Sequence, residues 1–150
     1  MSEGRVEAIH IAAEREELPH PVDRVEAHAG KGLVGNRYYW ENGSASSGNA
    51  LTLIEAEELE AFAAESGIEL TAAASRRNVL TRGIGLNALV GRRFRVGEVE
   101  CIGVELCEPC SHLMSLTHAE VLRGMVHRAG LNADMLNDGE IAVGDPVVPL

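Results

Sequence analysis

Residues 99–113 read VECIGVELCEPCSHL, from Val99 to Leu113, and decide both the fold class and the candidate chemistry. From Val99 to Leu106 the even positions Ile102, Val104 and Leu106 are apolar. Cys101, Gly103, Glu105 and Cys107 alternate with them, the period of two that marks a β-strand with one face on a core. On this pattern Cys107 points opposite Leu106. Pro109 has no N–H to donate and cannot continue a central strand, so the chain leaves the sheet just before Cys110, the kind of place where site residues gather.

Outward from this strand, further short β-like runs are separated by turn residues: Arg5 to Ala12, Val22 to Ala27, Ala50 to Ile54, Phe94 to Val96 and Ile141 to Val148. Two segments read as helices. Glu55 to Ser66 is rich in Ala, Glu and Leu, sets Leu59, Phe62 and Ala63 on one face and stops at Gly67. The second opens with a T-x-x-E capping box at Thr117 and Glu120, carries an apolar stripe of Leu122, Val126 and Ala129, and ends at Gly130. His127 and Arg128 would then lie in its last turn, where cations meet the negative end of the helix dipole. Strands predominate and the helices do not alternate regularly with them. The expectation is one β-rich α+β domain over residues 1–150, with a bent, barrel-like, mostly antiparallel sheet and a few helices. Asn42 to Asn49, NGSASSGN, reads as a flexible loop.

Composition narrows the function. A chain of 150 residues suits one domain and needs no covalent staple. No apolar run approaches the roughly 20 residues of a membrane helix, and MSEGRVEAIH lacks the blocks of a secretory signal. The protein is therefore expected to be cytoplasmic, with no membrane partner. Three cysteines in a reducing compartment argue against a disulfide framework. The net charge of -10 disfavours nucleic acid as a partner.

That charge is unevenly spread. Between Thr71 and Gly97 there is no Asp or Glu, yet Arg76, Arg77, Arg82, Arg92, Arg93 and Arg95 all lie there. Such an island suits an anion site, because arginine forks bind phosphate bidentately. Alternatively, its members pair with carboxylates from elsewhere in the fold. Adjacent residues of an extended segment point to opposite sides, so only one of Arg76 and Arg77 is expected to enter a pocket.

The C-x-x-C of Cys107 and Cys110 admits several readings. Zinc would need two more ligands at suitable spacing, and beyond Cys101 and His112 there is neither a second C-x-x-C nor an H-x-x-x-H. A redox pair would open a helix within a βαβ unit, whereas this one follows a strand. Cys101 and Cys107 read equally well as small buried apolar groups. The remaining reading makes Cys110 a lone thiolate beside His112, facing the basic island and held below the ordinary thiol pKa by its arginines and by His112 or His127.

The segments GKGLVGNRY, LTLIEAEEL, SRRNVLTRGIGLNALVGRRFRVGEV, LCEPCSHL and VHRAGLNADMLNDGEIAVGDPV, in that order from about Gly30 to Val147, resemble the MOSC domain, named for the C-terminal region of molybdenum cofactor sulfurases. The resemblance implies a barrel-like fold that binds a molybdopterin-type cofactor. Cys110 would ligate molybdenum or carry sulfur. Lys31, Asn36, Arg37, Arg76, Arg77, Asn78, His112, His127 and Arg128 would be cofactor-binding. Where relatives commonly carry G-D-R, this chain has Gly35-Asn36-Arg37, so a carboxylate is missing.

For a small stand-alone member the implied activity is reduction of N-hydroxylated compounds, with a small-molecule substrate and a separate electron donor. A different class of function needs the same residues: a carrier that holds a Cys110 persulfide and passes sulfur or cofactor to another protein. A third reading is an acidic adaptor domain with a vestigial pocket. Larger relatives add a pyridoxal phosphate domain with a Schiff-base lysine. Here Lys31 is the single lysine and sits in a glycine-rich turn, so no pyridoxal phosphate is expected in this chain.

Overall fold

The computed structural model describes residues 3–14, 17–39, 50–109 and 124–150. Among the described residues eleven strands carry the fold: β1 Gly4–Ile11, β2 His20–Val22, β3 Arg24–His28, β4 Gly32–Leu33, β5 Leu51–Glu55, β6 Val79–Arg82, β7 Arg93–Val96, β8 Val99–Leu106, β9 Leu131–Met135, β10 Gly139–Ala142 and β11 Pro146–Pro149. Between β5 and β6 lie two helices, α1 Ala56–Ser66 and α2 Ala72–Ser75.

The main sheet runs β11-β7-β8-β9-β5-β6-β1-β2, and β11 pairs back onto β1 through Gly4 and Val147. Seven strands therefore close into a barrel, which leaves no long edge open. All its pairs are antiparallel except β5 with β6, which α1 and α2 connect as a crossover. A three-stranded sheet, β10-β3-β4, packs beside it.

The barrel interior is filled by alternate residues of its strands, among them Ile9, Leu53, Val79, Phe94, Val96, Val99 and Leu131. A second, smaller core lies outside, where Leu59 and Phe62 of α1 meet Ile54, Leu70, Met125 and Ala129. Helix α1 ends as its sequence dictates. Gly67 adopts φ 73° and its N–H returns to the Ala63 carbonyl.

Several sequence expectations need correction. In β8 the residues facing the core are Val99, Cys101 and Gly103, while Ile102, Val104 and Leu106 are half-buried. Both parities of this strand are largely apolar or small, and packing selects the smaller set. A Cβ on Gly103 would stand 2.1 Å from the Leu89 carbonyl oxygen, so the neighbouring turn can approach only at a glycine. The run Val22 to Ala27 is split at Asp23 into β2 and β3, and Ile141 to Val148 is split into parts of β10 and β11 by a turn at Gly144, φ 96°. β6 and β9 are strands that the pattern did not reveal.

The expected loop Asn42 to Asn49, the start of the second helix at Thr117 with Glu120 and Leu122, and both Cys110 and His112 lie outside the described residues. In the described part of that second segment, Met125 and Ala129 are buried, while Val126 is 47% exposed. Met125, not Val126, supplies the apolar contact with α1. Gly130, φ 111°, follows, and a Cβ there would meet the Leu53 carbonyl oxygen at 2.0 Å.

Candidate functional site

The outer wall of the barrel carries a row of polar residues across five neighbouring strands. Glu105 of β8 faces Asn132 of β9, and Asn132 faces Thr52 of β5. Asn78, just before β6, bonds to Thr52 four times over: its N–H donates to Thr52 O (3.1 Å) and Oγ1 (3.0 Å), and its Oδ1 accepts from Thr52 N–H and Oγ1–H, both at 3.1 Å. Its Nδ2 donates to the His10 carbonyl of β1 at 3.1 Å. The Asn78 side chain thus holds three strands in register, at the point where the only parallel pair of the barrel begins.

Above this row lies a pocket of about 120 Å³. Its floor includes Thr52, Asn78 and Asn132. Its walls include Arg76 and Arg77 on one side and Asn36, Arg37 and Tyr38 on the other, with buried Ala12 and Pro19 completing the lining. Among the described residues, three of the ten that line it are arginines and none is acidic, in a chain with 23 carboxylates against 13 basic residues.

Local structure explains how adjacent arginines both reach it. Thr71 caps α2 through its Oγ1, and Arg76 ends that helix in the left-handed region at φ 65° and ψ 18°. The segment is not extended there, so the alternation that would send Arg76 and Arg77 to opposite sides does not apply. The expectation that only one would enter a pocket is corrected accordingly. Arg77 Nε donates to the Ala129 carbonyl at 2.8 Å, and Arg76 Nη1 to the Glu17 carbonyl at 2.8 Å. For Arg77, a bond to a neutral carbonyl fixes the guanidinium without cancelling its charge.

The opposite wall is tied to the end of β1. Asn36 Oδ1 accepts from Ala12 N–H at 3.1 Å, and Arg37 N–H donates to Ala12 O at 2.8 Å. The acceptor role of Asn36 is one a carboxylate would also fill. The Arg37 guanidinium stacks on Tyr38, 4.8 Å from the ring centre.

Of the sequence-predicted site residues, the structure brings Asn36, Arg37, Arg76, Arg77 and Asn78 together here. Lys31 lies in the β3–β4 turn, beside Asp138. His127 is 71% exposed and pairs with Glu108, which accepts from its backbone N–H at 2.7 Å and from Nδ1 at 2.5 Å. Arg128 is held by two carboxylates of α1: Nε to Glu58 at 2.5 Å, and Nη1 and Nη2 to Glu65 at 3.1 and 3.0 Å. The basic island is likewise divided, because Arg82 sits between Glu7 and Glu60.

Asn132, Thr52 and Tyr38 were missed by sequence reasoning. For Asn132 a signal existed: Leu131, Ala133 and Met135 alternate with Asn132 and Asp134 in a period of two. Cys107 lies beside the pocket floor, its Sγ–H donating to Asn132 Oδ1 at 2.7 Å. Burial pushes this thiol up to about 11, against a smaller opposing pull from Arg77. Cys101, inside the barrel, is pushed up to about 12 by the same cause. Both are free thiols. Among the described residues no group of three His, Cys, Asp or Glu side chains is placed to hold a metal ion, and no helix is long and apolar enough to cross a membrane.

A closed, seven-stranded mixed barrel with an arginine-lined pocket on its outer wall defines the class of domain. The sequence matches the MOSC domain over residues 26–148, and the chain belongs to that family. Its fold is shared by the YUAD protein from Bacillus subtilis, at 15% identity and TM-score 0.85, with 97% of this chain and 94% of that one covered. YiiM from Geobacillus stearothermophilus is similar at 16% identity and TM-score 0.74, covering 98% and 75%. YiiM from Escherichia coli follows at 18% and 0.70, covering 97% and 69%. No curated protein matches the sequence.

Proposed function

We propose that this MOSC protein binds a molybdenum cofactor through its phosphate and works as a small oxidoreductase on N-hydroxylated compounds, fed by a separate electron donor. The observation that carries the reading is the pocket lining: Arg37, Arg76 and Arg77 converge there with the amides Asn36, Asn78 and Asn132. The donor set suits a phosphate group, since guanidinium forks and amides match its oxygens. The volume suits it too. A pocket of about 120 Å³ is well below the roughly 300 Å³ at which whole-ligand sites begin, so it takes the anionic end of a larger ligand.

Arg76 and Arg77 would hold that phosphate, Arg37 would close the opposite wall and Asn78 would keep the floor rigid. Cys110, outside the described residues, is the proposed metal ligand, and the bound metal would supply the redox chemistry. Cys107 is unsuited to that role, because burial keeps it a thiol at neutral pH. His127 and Arg128 have carboxylate partners in the fold and Lys31 does not line the pocket, so none of the three is assigned to the cofactor.

The test is metal and pterin analysis of protein purified from a host that makes the cofactor, with mass spectrometry of the Cys110 peptide. Stoichiometric molybdenum and pterin, both lost in Cys110→Ser, are expected. A gain of about 32 Da on Cys110, the mass of one sulfur atom, without molybdenum would instead make the protein a sulfur carrier.

A further inference from the structure

Asn132 is an amide of the pocket floor that, like Asn78, has a hydrogen-bonding neighbour at each end. Its Oδ1 accepts from Cys107 Sγ–H at 2.7 Å, while Nδ2 lies 3.5 Å from the Glu105 carboxylate. A thiol that stays protonated donates, and a carboxylate accepts. Both neighbours therefore select the same rotation of the amide: oxygen toward Cys107, nitrogen away from it. Nδ2 has two hydrogens, and the long contact to Glu105 uses at most one. The sequence suits this arrangement, because β9 alternates Leu131, Ala133 and Met135 inward with Asn132 outward, and the β8 bulge between Gly103 and Glu105 keeps Glu105 opposite Asn132.

We propose that Asn132 is an anion-binding residue of this pocket, presenting an amide N–H to a phosphate-type oxyanion, and that Cys107 is the positioning residue that holds the amide in that orientation. The inference rests on the reading of the pocket as an anion site. It gives Cys107 a role that requires the protonated thiol, in contrast to a nucleophile or metal ligand, and it explains an uncharged amide rather than an acid among the arginines.

The experiment uses the full chain without cofactor, titrated with inorganic phosphate and followed by the Asn132 side-chain amide and Arg77 Nε signals in ¹H–¹⁵N spectra. In the wild type both signals should shift with one common midpoint. Asn132→Asp keeps the acceptor for Cys107 but replaces the donor with a negative charge, and should weaken phosphate binding about tenfold or more. Cys107→Ala leaves only the long Glu105 contact to orient the amide and should weaken binding about threefold, while Cys107→Ser restores a donor and should return affinity to within about twofold of wild type.

Wild-type affinity in Asn132→Asp, together with a loss in Arg77→Ala, would overturn this inference and leave the anion pocket standing. Equal affinities for Cys107→Ala and wild type would overturn the positioning role. No binding to wild type, or binding that Arg77→Ala leaves untouched, would overturn the pocket reading itself. Folding of each variant is checked by its amide dispersion, and the common midpoint in wild type tests the contact without any substitution.

Discussion

Arg77, which bonds to the 124–130 segment, and Arg128, which belongs to it, have surroundings that differ in kind. Arg77 bonds to the Ala129 carbonyl and lines the pocket. Arg128, one residue before that carbonyl, is clamped by Glu58 and Glu65 and joins the 124–130 segment to α1. A carbonyl positions a cation and a carboxylate neutralises it. The contrast teaches that a basic island read from sequence is not one population: Arg77 meets a neutral carbonyl at the pocket, Arg82 is already paired with carboxylates, and only the fold sorts them.

The heaviest blow to the α1 side should come from Phe62→Ala. Phe62 is fully buried in the outer core, and its loss should cost about 3–5 kcal/mol by chemical denaturation. The barrel core is separate, so the remaining folded protein should still bind phosphate. If pocket affinity fell in proportion, the two regions would not be independent.

Next in size is Arg128→Ala, which frees two carboxylates at a site only 25% exposed. A fall in Tm of about 2–6 °C is expected by calorimetry, and a smaller one for Arg77→Ala, whose bond is to a neutral carbonyl. The reverse ranking would break the comparison.

Acid should act on the paired side first. Hydrogen bonds from Arg82 and Arg128 hold the Glu60 and Glu65 carboxyls below their ordinary value of 4.5. Their contribution to stability is present above that value and is lost as the pH falls through the depressed one. Arg128→Ala should flatten the fall in Tm below about pH 4.5. His10 adds an earlier, shallower slope. Its buried imidazole is held below 6.5 by desolvation and then by His20, so the unfolded chain takes up the proton first and stability declines as pH drops below about 6.5. His10→Gln should remove that slope.

The smallest expected effect is an absence of reaction. With thiols pushed up to about 11 and 12, native Cys107 and Cys101 should resist iodoacetamide at pH 7.5, and both should label after unfolding. Rapid native labelling of Cys107 would place a thiolate at the pocket floor.

What could be read from the sequence followed from strong local rules. The bounds of β8, the body of α1 and its stop at Gly67 come from periodicity and capping, and Arg76, Arg77 and Asn78 were legible as one cluster. The illegible parts depended on tertiary choices. Val79–Arg82 is only four residues long and follows directly on Arg76, Arg77 and Asn78, and Asn132 and Asp134 resemble turn residues more than an outward strand face. Arg76 reached the pocket beside Arg77 through a left-handed backbone, rare for a residue with a side chain. His127 and Arg128 looked like site residues because nothing local revealed that Glu108, Glu58 and Glu65 would meet them.

The most direct test of the account is calorimetric titration of phosphate into cofactor-free wild type, Arg77→Ala and Arg128→Ala, each at low and at physiological ionic strength. The account predicts that Arg77→Ala loses about ten- to hundredfold in affinity while Arg128→Ala, although less stable, binds within about twofold of wild type. Equal losses in the two variants, or none in Arg77→Ala, would contradict it.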